Sequence, residues 1–204
     1  MDSLIEGYRR FRATGWQRHR TLFRELATRG QSPRAMVITC ADSRLDPQLV
    51  FDAAPGEIFV VRNVANLVPP YEPDTAYHGT SAAIEFAVRS LKVEHIVVLG
   101  HAQCGGIGAL LRGAGENGAD FIQHWMQIAA PARERALAAT GGDAERAQTI
   151  CEHESIKVSL DHLLTFPWVK ERVERGALKL HGCYFGIESG ALLRLDKDGQ
   201  FRPV

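Results

Sequence analysis

Two uninterrupted apolar runs constrain this chain more than any other feature. Met36-Val37-Ile38 and His95-Ile96-Val97-Val98-Leu99-Gly100 show no alternation of polar and apolar residues. That pattern belongs to strands covered on both faces, as in a parallel sheet sandwiched between helices. Each run ends in groups capable of chemistry. The first leads into Cys40-Ala41-Asp42-Ser43-Arg44, and the second delivers His101 and Cys104. Open α/β sheets place their chemistry outside the carboxyl ends of the strands, so these groups are expected to meet.

The rest of the chain reads as a frame for that meeting point. Residues 1–30 form a helical arm in which Leu4, Tyr8 and Phe11 can share one face and Leu22, Phe23 and Leu26 another. Eight arginines against three acids over the first 34 residues make the arm basic, which suits a solvated face or packing on a partner subunit. Residues 35–204 form the α/β core, and the whole of 1–204 reads as one domain. Asp46-Pro47 starts a short helix with an acidic cap and proline in its first turn. Glu57 to Val61 is a second strand, Thr75 to Leu91 a long helix, and 95–99 a third strand, giving a parallel βαβ arrangement. A short helix begins at Gly105, Gly113 to Gly118 is a loop, and helices dominate from Ala119 to Arg175 with breaks at Thr140-Gly141-Gly142 and Phe166-Pro167. Leu178 to Phe185 is a fourth strand and Ala191 to Leu195 a fifth, antiparallel and at an edge. The expected fold is α/β, a mostly parallel sheet of about five strands flanked by helices.

Cysteine, aspartate, histidine and cysteine at two strand ends are the ligand types of a zinc site. If residues 101–104 form the first turn of a helix, His101 and Cys104 point the same way, and the positive helix end favours thiolate over thiol. With Cys40 this makes two thiolates and an imidazole, a set that leaves the fourth zinc position open for catalysis. A Cys40–Cys104 disulfide is geometrically conceivable but leaves His101 unexplained. A nucleotide site is disfavoured, because Gly106-Ile107-Gly108 lacks the third glycine of the dinucleotide fingerprint and no phosphate loop is present. Cys151 and Cys183 read as small buried hydrophobes. His19, His78, His95, His124, His153, His162 and His181 have no ligand spacing and read as surface or satisfied core residues.

Composition narrows the partners. A formal net charge of zero gives no global attraction to nucleic acid or anionic lipid. No apolar run approaches the length of a membrane span, and Met1 to Gly7 lacks the apolar region of a secretory signal, so a cytoplasmic protein with no membrane partner is expected.

Cys40-Ala41-Asp42-Ser43-Arg44 together with His101-Ala102-Gln103-Cys104-Gly105-Gly106 resembles the zinc signature of the β-class carbonic anhydrases. The resemblance runs on through Pro55-Gly56-Glu57, Val61 to Asn66, Gly79 to Phe86, Trp125-Met126 and Thr165 to Val169. It implies reversible hydration of carbon dioxide to bicarbonate and a proton, by a zinc-bound hydroxide that an Asp–Arg dyad orients. Carried over by position, Cys40, His101 and Cys104 would hold one Zn²⁺ per chain. Asp42 and Arg44 would be the dyad, with Asp42 able to enter the metal's coordination when the site closes. Gln31, Phe59, Val64 and Gly105 fall where plant-type members line the substrate cleft. Phe86 stands where that cleft commonly has a tyrosine, so no hydroxyl is available there. The family's clefts lie at subunit interfaces, which implies a homodimer or homotetramer. Related zinc hydrolases acting on carbon disulfide or carbonyl sulfide, and a closed zinc module without activity, remain as alternative readings. Two thiolates cancel the formal charge of Zn²⁺, which makes the metal a weaker Lewis acid than one held by neutral histidines. An oriented carboxylate at Asp42, held by Arg44 as a charge-assisted pair, could offset that.

Overall fold

The computed structural model describes residues 1–113 and 120–204. Beyond Gly113, the loop expected up to Gly118 lies outside the described residues, as does Ala119. The apolar runs form parallel strands: β1 (Ala35–Cys40), β2 (Ile58–Asn63), β3 (His95–His101) and β4 (Lys179–Phe185), side by side in the order β2-β1-β3-β4. Strand β5 (Leu192–Leu195) pairs antiparallel to β4, as expected. It is not the edge. A sixth strand, β6 (Phe201–Pro203), lies beyond it. The carboxylate of Asp196 accepts the backbone N–H groups of Asp198 and Gln200, both at 2.9 Å, and this turn reverses the chain onto β5. Proline at position 203 is tolerated because an edge strand leaves one row of backbone groups unpaired.

The crossovers put helices on the sheet. Asp46 caps α3 (Pro47–Val50) by accepting the N–H groups of Gln48 and Leu49, with Pro47 in the first turn. Helix α4 (Gly79–Glu85) continues through a π-helical turn, Phe86–Ser90. It starts four residues later than the expected Thr75, because the Asp74 carboxylate binds the N–H of Ala76 and the ring of His78 (both 2.6 Å) and makes a separate turn. After β3 come α5 (Gly105–Leu111), α6 (Ile122–Gln127), α7 (Ala130–Thr140), α8 (Ala144–Leu163) and α9 (Pro167–Glu174). Gly141 ends α7 in a left-handed conformation (φ 66°), and Asp143 caps α8.

Alternate residues of the strands feed two buried clusters. Val37, Leu99 and Cys183 belong to one, and Met36, Ile38, Ile96 and Val98 to the other. Cys151 and Cys183 are buried hydrophobes, as expected, and burial pushes their thiols up to about 12 and about 11. Helix α8 approaches the sheet where side chains are absent: a Cβ on Gly182 would stand 2.9 Å from a methyl of Ile156. The arm contrasts with this core. Its helices, α1 (Asp2–Arg10) and α2 (Trp16–Arg29), flank a π-helical turn at Phe11–Gly15 and carry no buried residue. Leu4 and Tyr8 are 71% and 60% exposed. Among the described residues, no helix is long and apolar enough to cross a membrane.

His153 departs from the expected satisfied histidine. Its ring stacks on Phe201 (4.3 Å) and meets Tyr184 edge-on (4.4 Å), and its buried Nε2 has no hydrogen-bond partner among the described residues. Burial lowers its pKa from 6.5 to about 4, with Lys157 adding to the effect. Between those values the unfolded chain holds a proton that the folded chain lacks. This histidine's contribution to stability is therefore complete above the unfolded pKa and is lost as pH falls toward the folded one. His153→Phe is expected to show a smaller loss of stability than wild type in that window, measured by denaturant unfolding. An equal loss in both proteins would refute this.

Candidate metal centre

Cys40 is the last residue of β1, where the chain leaves the sheet. The loop that follows is braced from the neighbouring strand. Arg62 of β2 donates to the carbonyls of Cys40 (3.2 Å), Asp42 (2.8 Å) and Leu45 (2.5 Å), fixing the backbone on which Asp42 and Arg44 ride. Arg44 then grips Asp42. Its Nε and backbone N–H donate to Oδ1 at 3.0 and 2.9 Å, and its Nη2 donates to Oδ2 at 2.7 Å. The Arg44 side chain holds the Asp42 carboxyl well below the usual carboxylate range. Nη2 also reaches the carbonyl of Gln103 (3.0 Å), tying the β1 loop to the turn after β3.

That turn is not the helical one expected. His101 closes β3, Gln103 is left-handed (φ 56°), and Cys104 is extended (φ −64°, ψ 119°), so α5 begins only at Gly105. The left-handed residue folds Cys104 back beside His101, doing what a helical turn was expected to do. The hydrogen bond to Cys40 and burial hold its thiol up, and the N–H groups of Ile107 and Gly106 at the helix start oppose them without prevailing.

His101 is completely buried. Its Nδ1 lies 2.9 Å from the Ala102 carbonyl, an acceptor only, so Nδ1 carries the proton and Nε2 a free lone pair. Among the described residues Nε2 has no hydrogen-bond partner, and it sits 3.8 Å from Oδ2 of Asp42. Around it, the ligand atoms of Cys40, His101 and Cys104 all lie within 4.8 Å of one another. A hydrogen bond from the Cys104 thiol draws the Cys40 thiol down to about 4 against its burial. The same thiol–thiol hydrogen bond, with burial, holds the Cys104 thiol up. Two thiols and an imidazole with its lone pair turned inward fit the donor set of tetrahedral zinc. Asp42 is held to Arg44 and stands outside this three-residue cluster.

The expected cleft residues are distributed unevenly. Val64 lies against Gly106, 2.9 Å from where a Cβ would be, and its carbonyl accepts the indole N–H of Trp125 at 2.7 Å. It also borders a cavity of about 770 Å³ shared with Asn63, Pro69, Tyr77, Phe121 and Trp125. Phe59 and Phe86 contact each other with ring centroids 5.9 Å apart. Gly105 faces open space. Gln31 is exposed between α2 and β1, with no side-chain hydrogen bond among the described residues.

One part of the site carries no sequence signal. Glu152 on α8 is 2% exposed and accepts the backbone N–H of Cys104 at 2.8 Å. In the sequence it is one more acid in a helix whose charges are spread along its length. Only the packing of α8 under the 101–104 turn gives it a role.

Residues 35–192 match the family described as carbonic anhydrase. The relatives and structures that the chain resembles place it in the β class. The chain belongs to the β-carbonic anhydrase family. Among curated relatives of this family, a carbonic anhydrase of Synechococcus elongatus is 37% identical over 97% of this chain and 72% of its own length. β-Carbonic anhydrase 6, mitochondrial, of Arabidopsis thaliana is 38% identical over 94% of this chain and 66% of its own. The solved structure of the β-carbonic anhydrase CcaA is 34% identical with a TM-score of 0.93, covering 100% of this chain and 92% of that one. β-Carbonic anhydrases are zinc lyases that interconvert carbon dioxide and bicarbonate, and the Cys40–His101–Cys104 cluster fits their metal.

Proposed function

We propose that Cys40, His101 and Cys104 hold one Zn²⁺ per chain, and that Asp42 and Arg44 orient the attacking water in the hydration of carbon dioxide. Bound zinc would acidify water enough to make a nucleophile available near neutral pH. The remaining work falls to the chain's own residues. Three bonds from Arg44 aim Oδ2 of Asp42 toward the unpartnered His101 Nε2, and this single arrangement carries the proposal. So placed, Oδ2 accepts a hydrogen bond from the attacking water and turns its lone pair toward the carbon of the substrate. Arg44 keeps the carboxylate there because its planar fork matches two carboxylate oxygens and stays charged at any working pH. Val64, Phe59 and Phe86 offer apolar surface suited to an apolar gas, and Gln31 and the backbone at Gly105 are assigned to the same substrate cleft.

The remaining assignments belong to the same proposal. The uncovered apolar residues of the arm support a homodimer or homotetramer in which the arm packs on a partner. Four free cysteines, two of them needed as thiolates, support a reducing compartment, the cytoplasm. Residues 1–204 are read as a single domain.

The test is a stopped-flow hydration assay on zinc-loaded protein, with metal content measured on the same sample. Hydration with one zinc per chain is expected, and turnover of carbon disulfide or carbonyl sulfide is expected to be slower. Zinc-loaded protein that hydrates no carbon dioxide at any pH would leave the closed zinc module in its place.

A further inference from the structure

The turn that carries Cys104 is clamped from behind by a buried carboxylate. Oε1 of Glu152 accepts the backbone N–H of Cys104 at 2.8 Å and the Nε2 of Gln148 at 2.5 Å, and Oε2 accepts the hydroxyl of Tyr184 at 2.7 Å. Gln148 also donates to the carbonyl of Cys104 (3.1 Å), so the main chain of this one cysteine is held on both sides. The three holders come from elements that the ligand loop does not contain: Glu152 and Gln148 sit one turn apart on α8, and Tyr184 on β4. Both oxygens of Glu152 only accept, which is the pattern of a carboxylate. Yet the side chain is 2% exposed, and among the described residues it makes no ion pair. Buried charges are ordinarily paired with a countercharge or bound to metal. Here three hydrogen bonds hold the carboxylate instead, one of them from the main chain of Cys104.

We infer that Glu152 is a positioning residue for the zinc centre: with Gln148 and Tyr184, it sets the position of Cys104 by gripping that residue's peptide groups. The inference rests on the zinc site proposed above. It also accounts for how an extended Cys104 after a left-handed Gln103 keeps one geometry, since an extended residue at a helix start has no intrahelical bond to fix its N–H. Glu152→Gln should preserve the clamp, because a carboxamide oxygen can still accept from Cys104 and the Tyr184 hydroxyl can rotate to accept from the new NH₂. Glu152→Ala should release it.

The test uses the full-length chain, with zinc affinity measured by competition with a chromophoric chelator and ligand geometry followed by the absorption spectrum of the Co²⁺-substituted protein. Glu152→Ala is expected to bind zinc about tenfold to a hundredfold more weakly, with altered thiolate-to-cobalt bands, the range seen when groups behind metal ligands are removed. Glu152→Gln is expected to return affinity to within about threefold of wild type and restore the spectrum. If Glu152→Ala does not fold, Gln148→Ala, which leaves the carboxylate in place, is expected to weaken binding about threefold and to shift the same bands. Wild-type affinity and spectrum in Glu152→Ala, or in Gln148→Ala if only that variant folds, would overturn the role. Cys104→Ser separates the two claims. If it binds zinc normally, the site itself is misassigned; if it loses zinc while Glu152→Ala binds like wild type, only the positioning role fails.

Discussion

Cys104→Ser is expected to lose most of its zinc, and carbon dioxide hydration is expected to fall by more than about a hundredfold, beyond the cost of disturbing a group behind the ligands. Zinc takes cysteine as thiolate, and a serine hydroxyl does not ionise at working pH to replace it. The position offers no substitute donor. Cys104 is 2% exposed, and Asp42, the nearest spare oxygen ligand, is bound by three bonds to Arg44. Metal analysis after gel filtration, together with the hydration rate, measures the effect. Full zinc retention would show that the convergence of Cys40, His101 and Cys104 is not the binding site.

Arg44→Ala is expected to keep its zinc and lose turnover by about a hundredfold at about pH 8, the scale of removing a preorganised electrostatic group from an active site. Only the backbone N–H of residue 44 would remain on Asp42 once the guanidinium is gone. The freed carboxylate lies 3.8 Å from Nε2 of His101 and needs little movement to bind the metal and exclude water. The competition has a definite sign with pH. Hydroxide competes with the carboxylate for zinc, so the closed form of the variant should weaken as pH rises. A crystal structure of zinc-loaded Arg44→Ala with its hydration rate decides the matter. Near-wild-type turnover with water still at the fourth position would remove the gating role from Arg44 and leave it as a brace for the loop.

The legible parts of this molecule are those whose signal is local. Apolar runs announced β1 and β3, and the residues at their ends turned out to be neighbours in space, because adjacent parallel strands present their carboxyl ends together. Asp46-Pro47 announced α3, since cap and first-turn chemistry involve consecutive residues. The route from His101 to Cys104 was not legible. A left-handed turn usually advertises itself with glycine or asparagine, and here glutamine occupies it, held by the Arg44 bond to its carbonyl from another part of the chain. The late start of α4 was hidden for the opposite reason: the small residues after Thr75 read as helix, while the Asp74 carboxylate made a rival turn. β6 was missed because three residues containing a proline make little strand signal, even though the Asp196 turn before them does. Glu152 had no local signal at all, since its partners lie on α5's threshold and on β4.

The pairing of β1 with β3 has a consequence for how the chain is made. Thr39 Oγ1 bonds the carbonyl of Leu99 across sixty residues of sequence, and the rings of His95 and His181 meet across eighty-six. A nascent chain therefore has every member of the Cys40 loop in hand long before the strand that completes the site emerges, and β4 emerges later still. Closing such long loops costs chain entropy before any contact repays it, so parallel pairing is a slow event. A metal held as proposed, by Cys40 from one strand and His101 and Cys104 from the other, would span that joint directly. It would act as a clasp only after the strands have found each other, which would make zinc a late reward for correct assembly and a lock against its reversal.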